Sequence, residues 1–421
     1  MEKILEIGRK IIPTKIFHMA QPVYHYLLAF AGAVYYGFPS RKIFVVAVTG
    51  TKGKTTVTEI INKILEETGE KTALLNTIHF KVGDKYTRNL FKMTMPGRFF
   101  IQRFLRSAIK ANCKYAILEM TSEGAKQFRH KFISLDTLIF TNIAPEHIEA
   151  HGSFENYLNA KLKIAKTLES SLKKNRTMIV NIDDKYAPKF LDIKVDKKLA
   201  FSLADAKPYT ATEKDTILTI DGKKIKTKLV GEFNIYNILA GITFAKHRNI
   251  NFDIIKNALE EFGGVAGRVE RIEGGQNFTV IVDYAHTKES LEELYKAFGK
   301  SDKICVLGNT GGGRDKWKRP DMGKVADTYC KHIILTNEDP YDENPMQIIE
   351  DVAQGITKQS PKIIIERRDA IRKALTLAKE NDIVLITGKG TDPYIMEANN
   401  KKTLWDDRDV VKEELKLLTN K

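Results

Sequence analysis

The chain has 421 residues, carries a net charge of +15 and contains 43% hydrophobic and 29% charged residues. This length and composition predict a soluble protein of about two or three domains with a sizeable core. The lysines are dispersed among few aromatic residues, which argues against a nucleic-acid groove and favours anionic small-molecule substrates. Because the three cysteines lie far apart, we predict neither a disulfide framework nor a cysteine metal site, as in a reducing cytoplasm.

The N-terminal segment, residues 1–42, contains the most apolar stretch of the chain. No run is long enough to span a bilayer, and the segment lacks a signal-peptide cleavage pattern. We expect residues 17–38 to form a helix that packs on the core. A helix lying on a membrane surface is the less favoured alternative.

From Arg41 onward, short β-branched runs alternate with amphipathic helical patterns. Repeated strand–helix units are typical of a parallel sheet covered on both faces, so the predicted fold class is α/β. The strands predicted in this first series are Phe44–Val48, Thr72–Leu75, Tyr115–Leu118, Thr137–Phe140 and Thr177–Val180.

The pattern changes twice in the second half of the chain. Polar turns between short runs predict a small antiparallel sheet in residues 198–229, and residues 236–262 have a helical pattern. A second strand–helix series then predicts a Rossmann-like sheet with strands Thr279–Val282, Lys303–Leu307, His332–Leu335, Lys362–Ile365 and Ile383–Ile386. We therefore expect a central domain over residues 43–267 and a C-terminal α/β domain over residues 268–421.

A glycine-rich turn separates the first predicted strand from the helical pattern after it. Its residues are Gly50, Thr51, Lys52, Gly53, Lys54, Thr55 and Thr56. Glycines let backbone N–H groups approach phosphate oxygens, and the positive end of a helix dipole favours an anion. Lys54 is placed to reach terminal phosphates, and Thr55 to offer its hydroxyl to Mg²⁺. The turn predicts a phosphate-loop ATPase domain, although its two glycines are closer together than in the usual motif.

Polar residues also follow two later strands, at the sheet edge where ligands gather in open α/β folds. Glu119 follows one strand, and a carboxylate there can hold Mg²⁺ directly or through water. Two histidines and two glutamates follow the other strand within residues 146–151, which indicates a functional site. Lys161, on the next helical pattern, is by itself typical of a surface lysine.

Together these motifs resemble the Mur ligase family. The shared segments are Gly50–Thr56, Glu119–Ser122, Thr141–Gly152, Asn159–Lys161, Gly231–Asn237, Gly267–Glu270, Asp283–Thr287, Gly312–Pro320 and Gly388–Gly390. They extend from about Val45 to the C-terminus. The Asp-Tyr-Ala-His and Gly-Gly-Arg-Asp-Lys strings point to the branch that adds the third amino acid to the muramoyl peptide of bacterial cell walls.

The resemblance implies an ATP-dependent ligase that uses two magnesium ions. The implied catalytic residues are Lys54, Glu119, His147, Lys161 and Arg314. The implied metal ligands are Thr55, Glu119, His147 and Lys161, the last as a carbamylated lysine that carries a negative rather than a positive charge. The implied nucleotide contacts, besides the glycine-rich turn, are Asn234, Asn237, Arg268 and Asp283.

The family also implies two sets of substrate contacts. Those to the muramoyl-dipeptide are Thr94, Thr121, Ser122 and Arg129, and those to the incoming amino acid are Asp339, Tyr341, Gly388 and Asp392. Two departures stand out, because Glu123 replaces the family's usual histidine and few residues precede the phosphate turn. We expect the family's N-terminal UDP-binding domain to be missing or reduced.

The implied activity joins an amino acid to UDP-N-acetylmuramoyl-L-Ala-D-Glu through an acyl phosphate, in peptidoglycan biosynthesis, by a cytoplasmic monomer. One alternative is a ligase like folylpolyglutamate synthase, against which Thr55, Thr56 and the C-terminal motifs argue. A nucleotide-binding homologue without catalytic activity is the other. The presence of Lys54, Glu119 and Lys161 argues against a homologue that has lost its catalytic residues.

The identity of the incoming amino acid depends on one substitution. Members that take meso-diaminopimelate have an arginine where this chain has Tyr341, and a phenol carries no positive charge. The surrounding acids, within residues 338–343, favour a cationic side chain, and Asp392 is placed to bind a distal amine. The sequence hypothesis is therefore L-lysine or another diamino acid without a distal carboxylate. In the alternative, Arg314 or Lys389 takes over the role of the arginine.

Overall fold

The computed structural model describes residues 14–299 and 301–419, and the chain divides into two compact units. The described residues of the first unit fall within 1–144, 155–201 and 240–250, and those of the second within 145–154, 202–239 and 251–421. Residues 1–13 of the predicted N-terminal segment lie outside the described residues.

The helices and strands are numbered in chain order. Up to residue 201 they are α1 (Thr14–Tyr35), β1 (Phe44–Thr49), α2 (Lys54–Glu67), β2 (Thr72–Leu75), β3 (His79–Val82), β4 (Lys85–Arg88), α3 (Arg98–Lys110), β5 (Tyr115–Glu119), α4 (Ser122–Lys126), β6 (Thr137–Phe140), α5 (Ile148–His151), α6 (Phe154–Glu169), β7 (Thr177–Asn181), α7 (Ala187–Leu191) and β8 (Lys197–Phe201).

After residue 201 they are β9 (Tyr209–Ala211), β10 (Thr216–Ile220), β11 (Lys223–Thr227), α8 (Glu232–His247), α9 (Phe252–Glu261), β12 (Glu270–Arg271), β13 (Thr279–Val282), α10 (Lys288–Ala297), β14 (Lys303–Leu307), α11 (Arg319–Tyr329), β15 (His332–Leu335), α12 (Pro345–Ala353), β16 (Lys362–Ile363), α13 (Arg367–Leu377), β17 (Ile383–Ile386), β18 (Tyr394–Met396), β19 (Lys402–Leu404) and α14 (Asp407–Thr419).

The first unit is built on an eight-stranded sheet in the order β4-β3-β2-β5-β1-β6-β7-β8. β1 lies between β5 and β6 and runs parallel to both, so that Val48 pairs with Glu119 and Thr49 with Phe140. The central residues of β1 are fully buried, as expected for a strand covered on both faces. All five predicted strands are confirmed, whereas the antiparallel hairpin β3–β4 at the sheet edge was not predicted.

The expected antiparallel region begins later than its sequence pattern indicated. Residues 198–201 belong to β8, which pairs in parallel with β7, and this part of the prediction was wrong. β9, β10 and β11 form the small antiparallel sheet. The helical pattern over residues 236–262 divides into α8 and α9, with a break at Asn249, whose φ is +57°.

The second unit contains a six-stranded sheet in the order β12-β13-β17-β14-β15-β16. Its five predicted strands are present and parallel, and β12 adds an antiparallel edge. Apolar clusters cover both faces of the sheet, since alternate residues of each strand point to opposite sides. This arrangement confirms the predicted Rossmann-like sheet.

The prediction for the cysteines was wrong, because Cys305 and Cys330 form a disulfide. Cys305 is buried on β14, and Cys330 directly follows α11, which packs on that sheet. The tertiary packing brings together two residues that lie 25 positions apart. Cys113 is a free, buried thiol, so cysteine content no longer argues for a reducing compartment.

α1 confirms the predicted N-terminal helix and packs on α3. Its inward residues Ala29 and Ala33 are buried, and Gly32 faces Phe99 of α3. None of the helices within residues 14–299 and 301–419 has the length and apolarity needed for a membrane span.

Candidate active site

The turn after β1 is held in place by the segment that follows β6. A side chain at Gly50 would meet the Thr141 hydroxyl oxygen at 1.9 Å, so only glycine allows this approach. The N–H groups of Thr51 and Lys52 donate to the backbone oxygen and Oδ1 of Asn142, at 2.8 and 2.9 Å. The first turn of α2, whose N–H groups have no partner within the helix, supplies the remaining donors for an anion.

Two side chains of the turn point to different neighbours. Lys54 Nζ donates to the carbonyl oxygen of Thr51 at 2.8 Å, at the start of α2. The Thr51 hydroxyl lies 2.8 Å from the hydroxyl of Tyr157 on α6. Tyr157 was not predicted as a site residue. The sequence feature that could have indicated it is its position one helical turn before Lys161, which places both residues on one face of α6.

Glu119 is buried at the end of β5 and is surrounded by hydroxyl groups. Its Oε2 accepts hydrogen bonds from Thr55 Oγ1 at 2.9 Å and from the N–H and Oγ1 of Thr77 at 3.0 and 3.1 Å. Thr77 also contacts Thr94 Oγ1 at 2.8 Å. Thr77 was not predicted, although it lies just after β2 at the edge where the other site residues gather.

We expect Thr77→Val to weaken the use of Mg²⁺ while leaving the fold intact. The change keeps the side-chain shape but removes a hydroxyl that orients the Glu119 carboxylate, and a hydrogen bond to a charged group contributes about 1.5–3 kcal/mol. The Mg²⁺ concentration at half-maximal rate should rise about tenfold or more. Thr77→Ser keeps the hydroxyl and is the control. An unchanged Mg²⁺ dependence in Thr77→Val would contradict the orienting role.

Lys161 occupies a buried position on α6 beside the phosphate turn. Its side chain is 2% exposed, and its Nζ donates to the Gly50 carbonyl oxygen at 2.6 Å. The same nitrogen lies 4.7 Å from the centre of the Tyr157 ring. Lys161 is therefore not the surface lysine that its sequence context alone indicates.

In the second unit, three predicted motifs meet around His147. The His147 N–H donates to Asp315 Oδ2 at 3.1 Å, and the backbone of His147 is left-handed with φ +56°. The neighbouring Glu146 carboxylate lies 3.2 Å from Nε2 of His286. The described residues contain no group of three or more histidine, cysteine, aspartate or glutamate side chains arranged for a metal ion.

The predicted nucleotide residues lie on or near a cavity of about 280 Å³ in the second unit. Asn234 and Arg268 line this cavity. The side-chain amide of Asn237 donates to Asn234 Oδ1 at 2.9 Å and so supports a lining residue. The Asp283 carboxylate accepts from the N–H groups of Val269 and Ala285 at 2.7 and 2.6 Å, and burial raises its pKa. Asp283 therefore holds the Arg268 segment in place.

The predicted residues for the incoming amino acid are largely paired with one another. Lys389 is buried and its Nζ lies 2.8 Å from Asp339 Oδ1 and 3.0 Å from Asp392 Oδ2. The hydroxyl of Tyr341 lies 3.3 Å from Nη2 of Arg314, whose guanidinium is 5.4 Å from the ring centre. A cation thus stands beside the tyrosine that replaces the family's arginine.

Close packing also explains why a glycine occupies position 388, next to Lys389. A side chain at Gly388 would meet Glu338 Oε2 at 2.2 Å, and the φ of Gly388 is +105°. Glu343, another acid of the segment, pairs with Lys316 and Arg319 at 3.0 and 3.1 Å. Two of the acids that the sequence hypothesis invoked, Asp339 and Glu343, are therefore paired with cations within the chain.

The predicted muramoyl-dipeptide residues surround α4 in the first unit. The Thr121 hydroxyl accepts from the Gly124 N–H at 3.1 Å and caps α4, and Ser122 is buried. Arg129 donates to the Met95 carbonyl and, at 2.6 Å, to Gln127 Oε1. Burial lowers the pKa of the Arg129 guanidinium, which indicates a partly enclosed position.

Two segments of the chain match known protein families. Residues 48–245 match the Mur ligase middle domain, and residues 267–390 match the Mur ligase, glutamate ligase domain. The chain belongs to the Mur ligase family. It is 36% identical to the UDP-N-acetylmuramoyl-L-alanyl-D-glutamate--2,6-diaminopimelate ligase of Syntrophomonas wolfei, over 92% of this chain and 81% of that protein. The ligase of the same name from Aquifex aeolicus is 37% identical, with coverage of 90% and 79%.

Solved structures place this Mur ligase in the same fold. A UDP-N-acetylmuramoyl-L-alanyl-D-glutamate--2,6-diaminopimelate ligase matches with a TM-score of 0.60 and 26% identity, covering 90% of this chain and 79% of that one. Mycobacterium tuberculosis folylpolyglutamate synthase complexed with ADP matches with a TM-score of 0.68, covering 86% and 91%, but at only 15% identity. The second likeness shows a shared fold and does not favour a folate substrate.

Proposed function

We propose that this Mur ligase joins a diamino acid to the D-glutamate carboxylate of UDP-N-acetylmuramoyl-L-Ala-D-Glu, using ATP, in peptidoglycan biosynthesis. It acts as a cytoplasmic monomer on small-molecule substrates. The observation that carries this proposal is the phosphate-binding turn with Lys54 beside the Thr55–Glu119 pair, in a chain of this family. The relatives compared above are named for the same muramoyl-dipeptide.

The reaction begins with transfer of the terminal phosphate of ATP to the carboxylate, which forms an acyl phosphate and ADP. The amine of the acceptor then attacks the carbonyl carbon, and the tetrahedral intermediate expels phosphate to leave the amide. Lys54 and the first-turn N–H groups of α2 stabilise the negative charge on the phosphate oxygens. Asn234 and Arg268 hold the nucleoside at the cavity that they line.

The side chains around Glu119 suit a magnesium ion. A carboxylate and a hydroxyl 2.9 Å apart are hard oxygen donors of the kind that Mg²⁺ prefers. We propose that Thr55 and Glu119 hold magnesium, and that Lys161, as a carbamate, holds a second ion. The role of His147 as a metal ligand stays a prediction from the family resemblance. Magnesium neutralises charge on the phosphates when bound, while Thr77 and Thr55 orient the carboxylate.

We further propose that Arg314 recognises the distal carboxylate of the acceptor. Arg314 lies beside Tyr341. Among the nearby acids, Asp339 pairs with Lys389, and Glu343 pairs with Lys316 and Arg319. This pairing reduces the negative charge near Tyr341 on which the L-lysine hypothesis rests. A guanidinium pairs well with a carboxylate, which favours meso-diaminopimelate.

The experiment is a competition between L-lysine, L-ornithine and meso-diaminopimelate with ATP, Mg²⁺ and the muramoyl-dipeptide, measured by product mass and phosphate release. Phosphate release that depends on an acceptor would support the ligase. We expect meso-diaminopimelate to be preferred, and Arg314→Ala to reduce that preference about 10–100-fold. Arg314→Lys, which keeps the charge, should retain part of it. A clear preference of the unaltered enzyme for L-lysine would contradict the role of Arg314 and support the sequence hypothesis.

A further inference from the structure

α1 has an exposed apolar face opposite the face that packs on α3. Val23, Leu27, Phe30 and Val34 are 59%, 58%, 46% and 50% exposed. Their spacing of four, three and four residues places them in one row along the helix. This row is called the outer stripe. The large solvent exposure of four neighbouring apolar side chains indicates a surface that binds a partner.

Aromatic rings extend the outer stripe at its sides. Tyr26 packs against Phe128 and Phe132 with ring centres 6.2 and 5.1 Å apart, and its own side chain is 44% exposed. Tyr35, near the end of α1, is 76% exposed. Tyrosines with an apolar body and a polar tip are typical of the boundary between lipid and water.

The charge around the outer stripe has one sign. No aspartate or glutamate occurs in residues 14–58, and none occurs in α3, which carries Arg98, Arg103, Arg106 and Lys110. Arg41 is exposed and lies over the Phe38 ring, which in turn packs near Phe30 of the stripe. An apolar row on a segment that carries cations and no acids is complementary to an anionic lipid surface.

We propose that the outer stripe binds the surface of an anionic lipid bilayer, with α1 lying in the plane of the membrane. A second copy of the chain is a poorer partner, because pairing two such faces would bring the cations of α1 and α3 together. α1 is also too short in apolar length to span a bilayer.

The inner face of α1 connects this surface to the candidate substrate site. Burial lowers the pKa of His25 to about 4, and the positive charges of Arg98 and Arg129 contribute to this shift. Arg129 is a proposed contact of the muramoyl-dipeptide.

The test is sedimentation of the full chain with vesicles of phosphatidylglycerol and phosphatidylcholine, compared with vesicles of phosphatidylcholine alone. We expect binding to the anionic vesicles that weakens with salt. The double variant Leu27→Ser, Val34→Ser should lower the binding constant by at least about tenfold. Leu172→Ser is the matched control, because Leu172 is 70% exposed elsewhere in the first unit and should leave binding unchanged.

Other outcomes would overturn the proposal. Equal binding by the double variant and the control would assign vesicle binding to net charge alone, and the absence of binding would exclude a membrane partner. A concentration-dependent dimer that the double variant abolishes, seen by analytical ultracentrifugation without vesicles, would show that a second copy covers the stripe. Ligase activity on soluble substrates should be the same in all variants, which verifies that each is folded.

Discussion

Replacing Lys54 with alanine should abolish turnover while the protein stays folded. The Lys54 side chain lies at the start of α2 and donates to the nearby Thr51 carbonyl, so its removal should cost little stability. In the reaction, the same ammonium would face phosphate oxygens whose negative charge grows as the bond to ADP breaks. Removing one such charge typically lowers kcat by about 10²–10³-fold.

A matched control lies on the same helix. Lys63 of α2 pairs with Glu67 one turn further along, at the surface and away from the phosphate turn. Lys63→Ala should therefore keep normal acceptor-dependent phosphate release, and circular dichroism should show the same helix content in both variants. Near-normal activity of Lys54→Ala would contradict the proposal that this turn binds the phosphates of ATP. It would also contradict the proposed role of Thr55.

Lys161→Ala should be nearly inactive, and short carboxylates such as formate or acetate should restore part of the rate. The proposed carbamate is an anion that would hold magnesium, and an added carboxylate would replace it in the space that alanine leaves. Burial of Lys161 shields a carbamate from water, which favours its retention. Activity of the unaltered enzyme should also fall when bicarbonate and carbon dioxide are removed.

The control for this prediction is Lys166→Ala, since Lys166 is exposed on the same helix and should be indifferent to carboxylates. A carbamate signal from ¹³C-labelled bicarbonate should be present in the unaltered protein and absent from Lys161→Ala. Full activity together with an unmodified amine, in the presence of Mg²⁺, bicarbonate and substrates, would contradict the modification. If Lys161→Ala loses activity and added carboxylates do not restore it, Lys161 is essential. That result would contradict the proposal that its carbamate acts only as a replaceable anion.

The sequence was sufficient for most of the fold because its strands are buried on both faces. A strand such as β1 is apolar at nearly every position, and such a run is visible without knowledge of its neighbours. The hairpin β3–β4 was missed because its outer strand is exposed throughout and therefore lacks an apolar pattern. β8 was assigned to the wrong sheet because its mostly exposed residues resemble those of a hairpin strand.

The candidate site was predictable where chemistry is carried by residues close together in the chain. The turn from Gly50 to Thr56 is one such case, because strand, glycines, lysine and helix follow directly upon one another. Family resemblance added isolated positions such as Lys161, whose own context indicated only a surface lysine. Its burial beside Gly50 is a property of the folded chain.

By itself, the sequence determined the order of the elements, the phosphate turn and the family, since each is recorded in neighbouring residues. Only the tertiary structure decided which distant groups meet. It placed Thr77 on Glu119, joined Cys305 to Cys330 and paired Lys389 with Asp339. The first and third contacts arise because parallel strands bring their ends to one edge of a sheet, whatever the length of chain between them, and the disulfide forms because α11 packs on the sheet that contains β14. The spacing of residues along the chain carries no record of that proximity.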